Sequence, residues 1–64
     1  MKFTKHIEKL KHKRGVLAAM VFDLNCATDP EHRVTKAYVA LNNAIDQLEA
    51  LDPGERSVFE QLAQ

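Results

Sequence analysis

Sixty-four residues with zero net charge and 45% hydrophobic content bound one small domain at most. A single cysteine, Cys26, excludes an internal disulfide and fits a reducing cytoplasm better than secretion. The longest apolar run, residues 16–22, is far short of the ~20 residues needed to span a bilayer, so no membrane partner is expected.

The first element is legible from spacing. Phe3, Ile7, Leu10, Leu17, Val21 and Leu24 keep a four-three rhythm, with Arg14 filling the one gap. That is an apolar seam on one helix face. Thr4 reads as the N-cap, and helix 1 is expected over about residues 4–25. Thr28-Asp29-Pro30-Glu31 then reads as a helix restart. Thr28 or Asp29 caps, Pro30 suits the first turn, and Glu31 completes a capping box. Helix 2 is expected over about 30–51, with Val34, Ala37, Leu41, Ala44, Leu48 and Leu51 as its seam. The connection Asn25–Thr28 is short, which makes the two helices antiparallel neighbours. Asp52-Pro53-Gly54-Glu55 repeats the restart grammar, and a short helix 3 is expected over about 53–63. No run alternates with period two. The expected fold is all-α: an antiparallel two-helix hairpin plus a short C-terminal helix.

So small a chain buries too little to be comfortable alone. Val16, Leu17, Met20, Val21 and Phe22, with Ala18 and Ala19 between them, are apolar around the whole helix circumference. One antiparallel partner covers only one stripe. The segment therefore predicts a homo-oligomer, a helical bundle in which other copies cover the remainder.

Charge is divided along the chain. Residues 1–14 carry six lysines and arginines against Glu8, and residues 15–64 carry three against eight carboxylates. A basic end suggests an anionic partner, or a solvated face, or an acidic neighbouring subunit. Lys2, Lys5, Lys9 and Lys13 share one stripe at 100° per residue, flanked by His6 and His12. Arg14 stands in the apolar seam itself. Arg33 and Lys36 project from the start of helix 2, where free N–H groups and the positive dipole end suit a phosphate. The three histidines lack i, i+4 spacing, and the two glycines make no phosphate-cradling loop. No catalytic residue, metal site or cofactor is expected, and the chain is read as a non-enzyme.

The stretch from Lys11 to Leu48 resembles the helical hairpin of phage anti-CBASS proteins, sponges for cyclic-oligonucleotide immune signals. The features that carry the resemblance are His12-Lys13, the apolar segment from Leu17-Ala18 to Asp23, Pro30 with Arg33, and the spaced Ala37, Leu41 and Ala44. Asp52–Gln64 has no counterpart. The resemblance implies a phage-encoded anti-defence protein in the host cytoplasm. It would sequester an anionic nucleotide in pockets between subunits, without catalysis. Lys13, Arg14, Arg33 and Lys36 would meet phosphates, with His12 among the ligand contacts, and a base would stack on Tyr38 or lie on the apolar face near Met20. Two other functions fit the residues. One is a helical-hairpin module that inhibits a host protein through its apolar face. The other is a small basic-helix regulator on nucleic acid.

Overall fold

The computed structural model describes residues 2–63. They form three helices with no strand among them: α1 over Lys2–Asp23, α2 over Arg33–Glu49 and α3 over Pro53–Leu62. The expected all-α hairpin with a short third helix is what the described residues adopt.

Helix α1 starts earlier than its spacing predicts. Thr4 lies inside it and caps nothing. A first-turn N–H is satisfied from elsewhere in the chain: Phe3 donates its backbone N–H to Glu60 Oε1 at 3.2 Å. A carboxylate at this end also meets the positive pole of the helix dipole. The C-terminus of α1 closes on Asn25, whose φ of 53° places it in the left-handed region. Asn25 donates to the Phe22 carbonyl and Cys26 to the Val21 carbonyl, both at 3.1 Å. This is a Schellman motif with asparagine in place of the usual glycine. It turns Cys26 inward, where the side chain is buried and lies 3.7 Å from the Val21 carbonyl. Cys26 is thus a small apolar plug at the hairpin's closed end.

The restart at Thr28–Glu31 is a correction. Helix α2 begins at Arg33, not Pro30, and its N-cap is His32, whose Nδ1 accepts the Val34 N–H. The reason lies in Asp29. Its carboxylate accepts the Glu31 N–H at 3.1 Å, and its carbonyl accepts the His32 N–H at 3.2 Å. These bonds hold Pro30 in a local turn, where Asp favours its own backbone over a helical ladder. The connection therefore spans residues 24–32, longer than the four residues expected. Thr35 ties it down by donating its hydroxyl to the Cys26 carbonyl at 2.8 Å.

Asp52 behaves as its sequence predicts. It accepts the Glu55 N–H at 2.8 Å, and Glu55 accepts the Asp52 N–H at 3.1 Å, a complete capping box with Pro53 opening α3. Asp52→Ala is expected to cost about 1 kcal/mol. Urea denaturation followed by circular dichroism measures it.

The hairpin is antiparallel, with Arg14 bonded to Asn42 and Lys11 paired with Glu49 across it. The core is small: Phe3, Ile7, Cys26 and Ile45, of which Ile45 is fully enclosed. Ile45 is absent from the seam expected for α2, and Ala37 and Ala44 of that seam are exposed. The inner stripe keeps Val34, Leu41 and Leu48 of that seam, half-buried, and takes half-buried Tyr38 and buried Ile45 in place of Ala37 and Ala44. Helix α3 packs on its own chain. Phe59 meets Phe3 and His6 edge to face, at 5.5 and 5.3 Å between ring centroids. Arg56 lies 4.9 Å over the Phe3 ring and donates to the Leu51 and Glu49 carbonyls, both at 3.0 Å. It thereby caps the C-terminus of α2. The product is a rod of 40 × 16 × 15 Å.

Candidate functional site

The apolar segment of α1 divides under this fold. Leu17 and Val21 turn partly into the hairpin, whereas Val16, Met20 and Phe22 remain on the surface, Phe22 84% exposed. Leu24, Val39, Val58 and Leu62 are exposed too. The chain presents 4942 Å² of surface. A compact monomer of its mass exposes roughly 4,200 Å². The rod shape accounts for the excess, since two helices side by side enclose little.

The six residues read as ligand contacts do not converge within one chain. Arg14 is half-buried and donates from Nη1 to Asn42 Oδ1 at 2.8 Å. Lys36 is held by Glu31 at 3.0 Å. Tyr38 is half-buried on the inner side of α2. His12, Lys13 and Arg33 are exposed, and neither Lys13 nor Arg33 has an ion pair among the described residues. Arg33 lies nine residues from Asn42, roughly 13 Å along α2, and so well apart from the Arg14 position. Asn42 went unnoticed in the sequence. Its only signal is a polar residue at the margin of a buried stripe, opposite an arginine that fills a seam position.

Helical phase sorts the surface into two flanks. The pairs Arg14–Asn42 and Lys11–Glu49 identify one, where charges of both signs meet. Thr4, Glu8, Ala18 and Phe22 of α1 share it at 100° per residue, as do Val39 and Asp46 of α2. The other flank is different in kind. From α1 it carries Lys13, Leu17 and Met20, with Leu24 just past its end, and from α2 Arg33, Ala37, Leu41 and Ala44. Lys2 and His6 continue it to the end that α3 covers. No carboxylate of α1 or α2 falls on this flank, so its charge is basic throughout.

The +5 and −5 divisions of the sequence meet at one end of the rod. The antiparallel fold brings Asp46 and Glu49, and Glu55 and Glu60 of α3, to the end where the N-terminal lysines stand. Only Lys11 makes an ion pair with them among the described residues. Lys2 and Lys5 instead occupy the positive pole of α1, an unfavourable place for a cation. Two open depressions lie nearby. One, of about 370 Å³, is lined by Phe3, Thr4, Pro53, Arg56, Ser57 and Glu60. Its arginine is committed to the α2 carbonyls. The other, of about 450 Å³, lies among Lys5, Glu8, Lys9, His12 and Lys13. Among the described residues no group of three His, Cys, Asp or Glu side chains is placed to hold a metal ion. No helix among them is long and apolar enough to cross a membrane.

No family model matches this chain, and no curated protein and no solved structure matches it either.

Proposed function

We propose that this chain is a non-catalytic binding protein that assembles with copies of itself and sequesters an anionic nucleotide between them. The observation that carries the reading is the basic flank, in which Lys13 and Arg33, without an ion pair among the described residues, bracket an apolar strip left open by a single chain. Phosphates suit the two cations, and the flat face of a base suits Met20 and the alanine-bearing side of α2. Burial between copies strengthens a charge–phosphate contact relative to an open surface. The resemblance of residues 11–48 to anti-CBASS sponges gives the ligand class, a cyclic oligonucleotide, and the setting, a phage protein acting in the host cytoplasm. Arg14 and Lys36 have partners of their own in the single chain, and Tyr38 is half-buried on the inner side of α2. His12, Lys13 and Arg33 are therefore the residues on which ligand binding rests.

Light scattering with calorimetry against a panel of cyclic di- and trinucleotides tests this reading. The expected result is an oligomer whose heat of binding saturates at a fixed ligand-to-subunit ratio. Lys13→Ala with Arg33→Ala is expected to weaken binding at least tenfold with helicity unchanged. An oligomer that binds none of the panel sinks the proposal. The rival reading, a hairpin that inhibits a host protein, is favoured by the exposure of Phe22 on the opposite flank. It predicts that Phe22→Asp, not the basic pair, removes function.

A further inference from the structure

We infer that the flank of mixed charge is the docking surface for a second copy of this chain, laid flank to flank about a twofold axis parallel to the rod, so that Lys11 of each chain meets Asp46 of the other and Phe22 meets Val39. This deepens the proposed function by naming the face through which copies join, and it rests on the premise that the chain self-associates. The basic flank stays open on both outer sides of the pair.

The register decides what stands on this face. Lys11 pairs with Glu49, Arg14 with Asn42, and the Cys26 carbonyl with Thr35. Asp46 lies between Asn42 and Glu49 in the sequence, so it is level with the turn from Lys11 to Arg14. Val39 lies between Thr35 and Asn42, so it is level with the stretch from Ala18 to Phe22. At 100° per residue Lys11, Ala18 and Phe22 form one line along α1, and Val39 and Asp46 form one along α2. Both lines lie about a quarter turn from the inner stripe of their helix, on the same side of the hairpin. The face is therefore graded. Toward the open end it is charged, with cations on α1 and carboxylates on α2, and toward the hairpin turn it is apolar.

A twofold axis along the rod, in the plane between two such flanks, sets α1 of each chain over α2 of the other at unchanged level. Lys11 then faces Asp46, and Ala18 and Phe22 face Val39, twice over. Arg14 stands beside the same carboxylate while its Nη1 stays on Asn42. A twofold across the rod instead sets α1 over α1 with its ends exchanged, and it lays Lys11 on Phe22 and Asp46 on Val39. Charge meets opposite charge, and apolar meets apolar, only in the first arrangement. It is also the up-down packing of a four-helix bundle.

Three observations single out a copy of this chain as the occupant. First, the charge complementarity is reciprocal, as an isologous contact requires. Asp46 is exposed and has no ion pair among the described residues, and Lys11 is half-exposed beside Glu49. The basic flank, with no carboxylate of α1 or α2, offers a second copy only like charge. Second, Val39 is half-exposed and Phe22 almost wholly so, and only a body outside the chain covers them. Third, Gly15 lies between Lys11 and Phe22 on this face, and a Cβ there would meet nothing within 4 Å. Glycine weakens a helix interior relative to alanine, and the single chain gives no packing reason for it. An opposing helix at close approach supplies one. Glu8 stands a turn outside the contact, where it lines a depression with Arg56 of its own chain.

Reversed charges test the arrangement, because Lys11 and Asp46 are exposed and their substitution leaves the core intact. Sedimentation equilibrium at low ionic strength, without nucleotide, is the measurement, with circular dichroism to verify folding. The wild type is expected to be a dimer that weakens as salt is raised. Lys11→Glu opposes carboxylate to carboxylate in its own dimer, and Asp46→Lys opposes cation to cation. Each variant alone is expected to dimerise at least tenfold more weakly than the wild type. An equal mixture of the two is expected to recover, because the mixed pair holds one wild-type contact and one ion pair turned round. Phe22→Asp is expected to be monomeric, and Gly15→Leu to weaken the dimer with helicity undiminished. The inference is overturned by a wild-type monomer, which hands Phe22 to the host-protein reading, by variants that dimerise as tightly as the wild type, or by a mixture no tighter than its components. The outcomes separate from those of the nucleotide reading, whose Lys13 and Arg33 lie on the opposite flank. A dimer that obeys the mixing rule and ignores nucleotides sinks that reading alone. Nucleotide binding by an oligomer insensitive to all four substitutions sinks this one alone.

Discussion

Ile45→Ala is expected to lower stability by about 3 kcal/mol, within the range for truncating a buried isoleucine. For a domain of this size the total is on the order of 3–10 kcal/mol. The variant is thus expected to lose much of its cooperative transition, and to be partly unfolded at 37 °C. Ile45 is the one large side chain with no exposure, on the helix that packs along α1. Only three other residues are buried with it, so neighbours have little freedom to fill the space. Urea denaturation at several protein concentrations measures the loss. Concentration enters because association adds stability that the single chain lacks. A loss below about 1 kcal/mol would mean that the hairpin is held elsewhere, and the placement of the core on Ile45 would fall. Val39→Ala is the control on α2, since Val39 is half exposed and is expected to change stability little.

The four-three spacing of α1 identified its inner face as far as Val21, because a 22-residue helix repeats the signal over several turns, but not at Leu24, which lies past the end of the helix and is exposed. Helix α2 was harder for a physical reason. Its alanines are small enough to be tolerated on either side of the boundary between buried and exposed. Counting Ala37 and Ala44 as core therefore left Tyr38 and Ile45 out of the stripe. The two Asp-Pro segments show what local sequence decides and what it does not. At Asp52 the carboxylate reaches the third residue on and caps α3. At Asp29 the same residue type reaches only the second residue on and makes a turn. The Schellman closure at Asn25 fixes where the chain must re-enter the hairpin, and His32 rather than Asp29 stands at that point. A tertiary constraint chooses between two uses of one local grammar. The basic flank lies between these cases. Its residues were legible singly as Lys13 and Arg33, but their separation of roughly 18 Å follows only from the antiparallel register. Arg14 was legible as a cation standing in the apolar seam; Asn42 answers it within the chain. No spacing along a single helix carries such a cross-helix partner.

Phe3→Ala is the second large effect, about 3 kcal/mol or somewhat more. It differs in kind from the first, because Phe3 serves two elements. Its ring is buried at the end of the hairpin, faces Phe59 edge to face, and lies beneath the Arg56 guanidinium. Its backbone N–H is held by Glu60. Helix α3 packs against α1 and makes no comparable contact with α2. Phe3 is accordingly the anchor for the whole of α3. Ten residues form a marginal helix in isolation even with a complete cap, so loss of the anchor is expected to melt α3 and not merely to displace it. Hydrogen exchange read residue by residue distinguishes the two roles. In Phe59→Ala, which leaves the α1 seam intact, amides of α3 are expected to exchange at near-unfolded rates while those around Ile45 keep their protection. In Phe3→Ala both sets are expected to lose protection, because a core residue is lost along with the anchor. If α3 stays protected in Phe59→Ala, its stability comes from the Asp52 cap and the bonds of Arg56 to the α2 carbonyls. The aromatic cluster would then be a consequence of docking and not its cause.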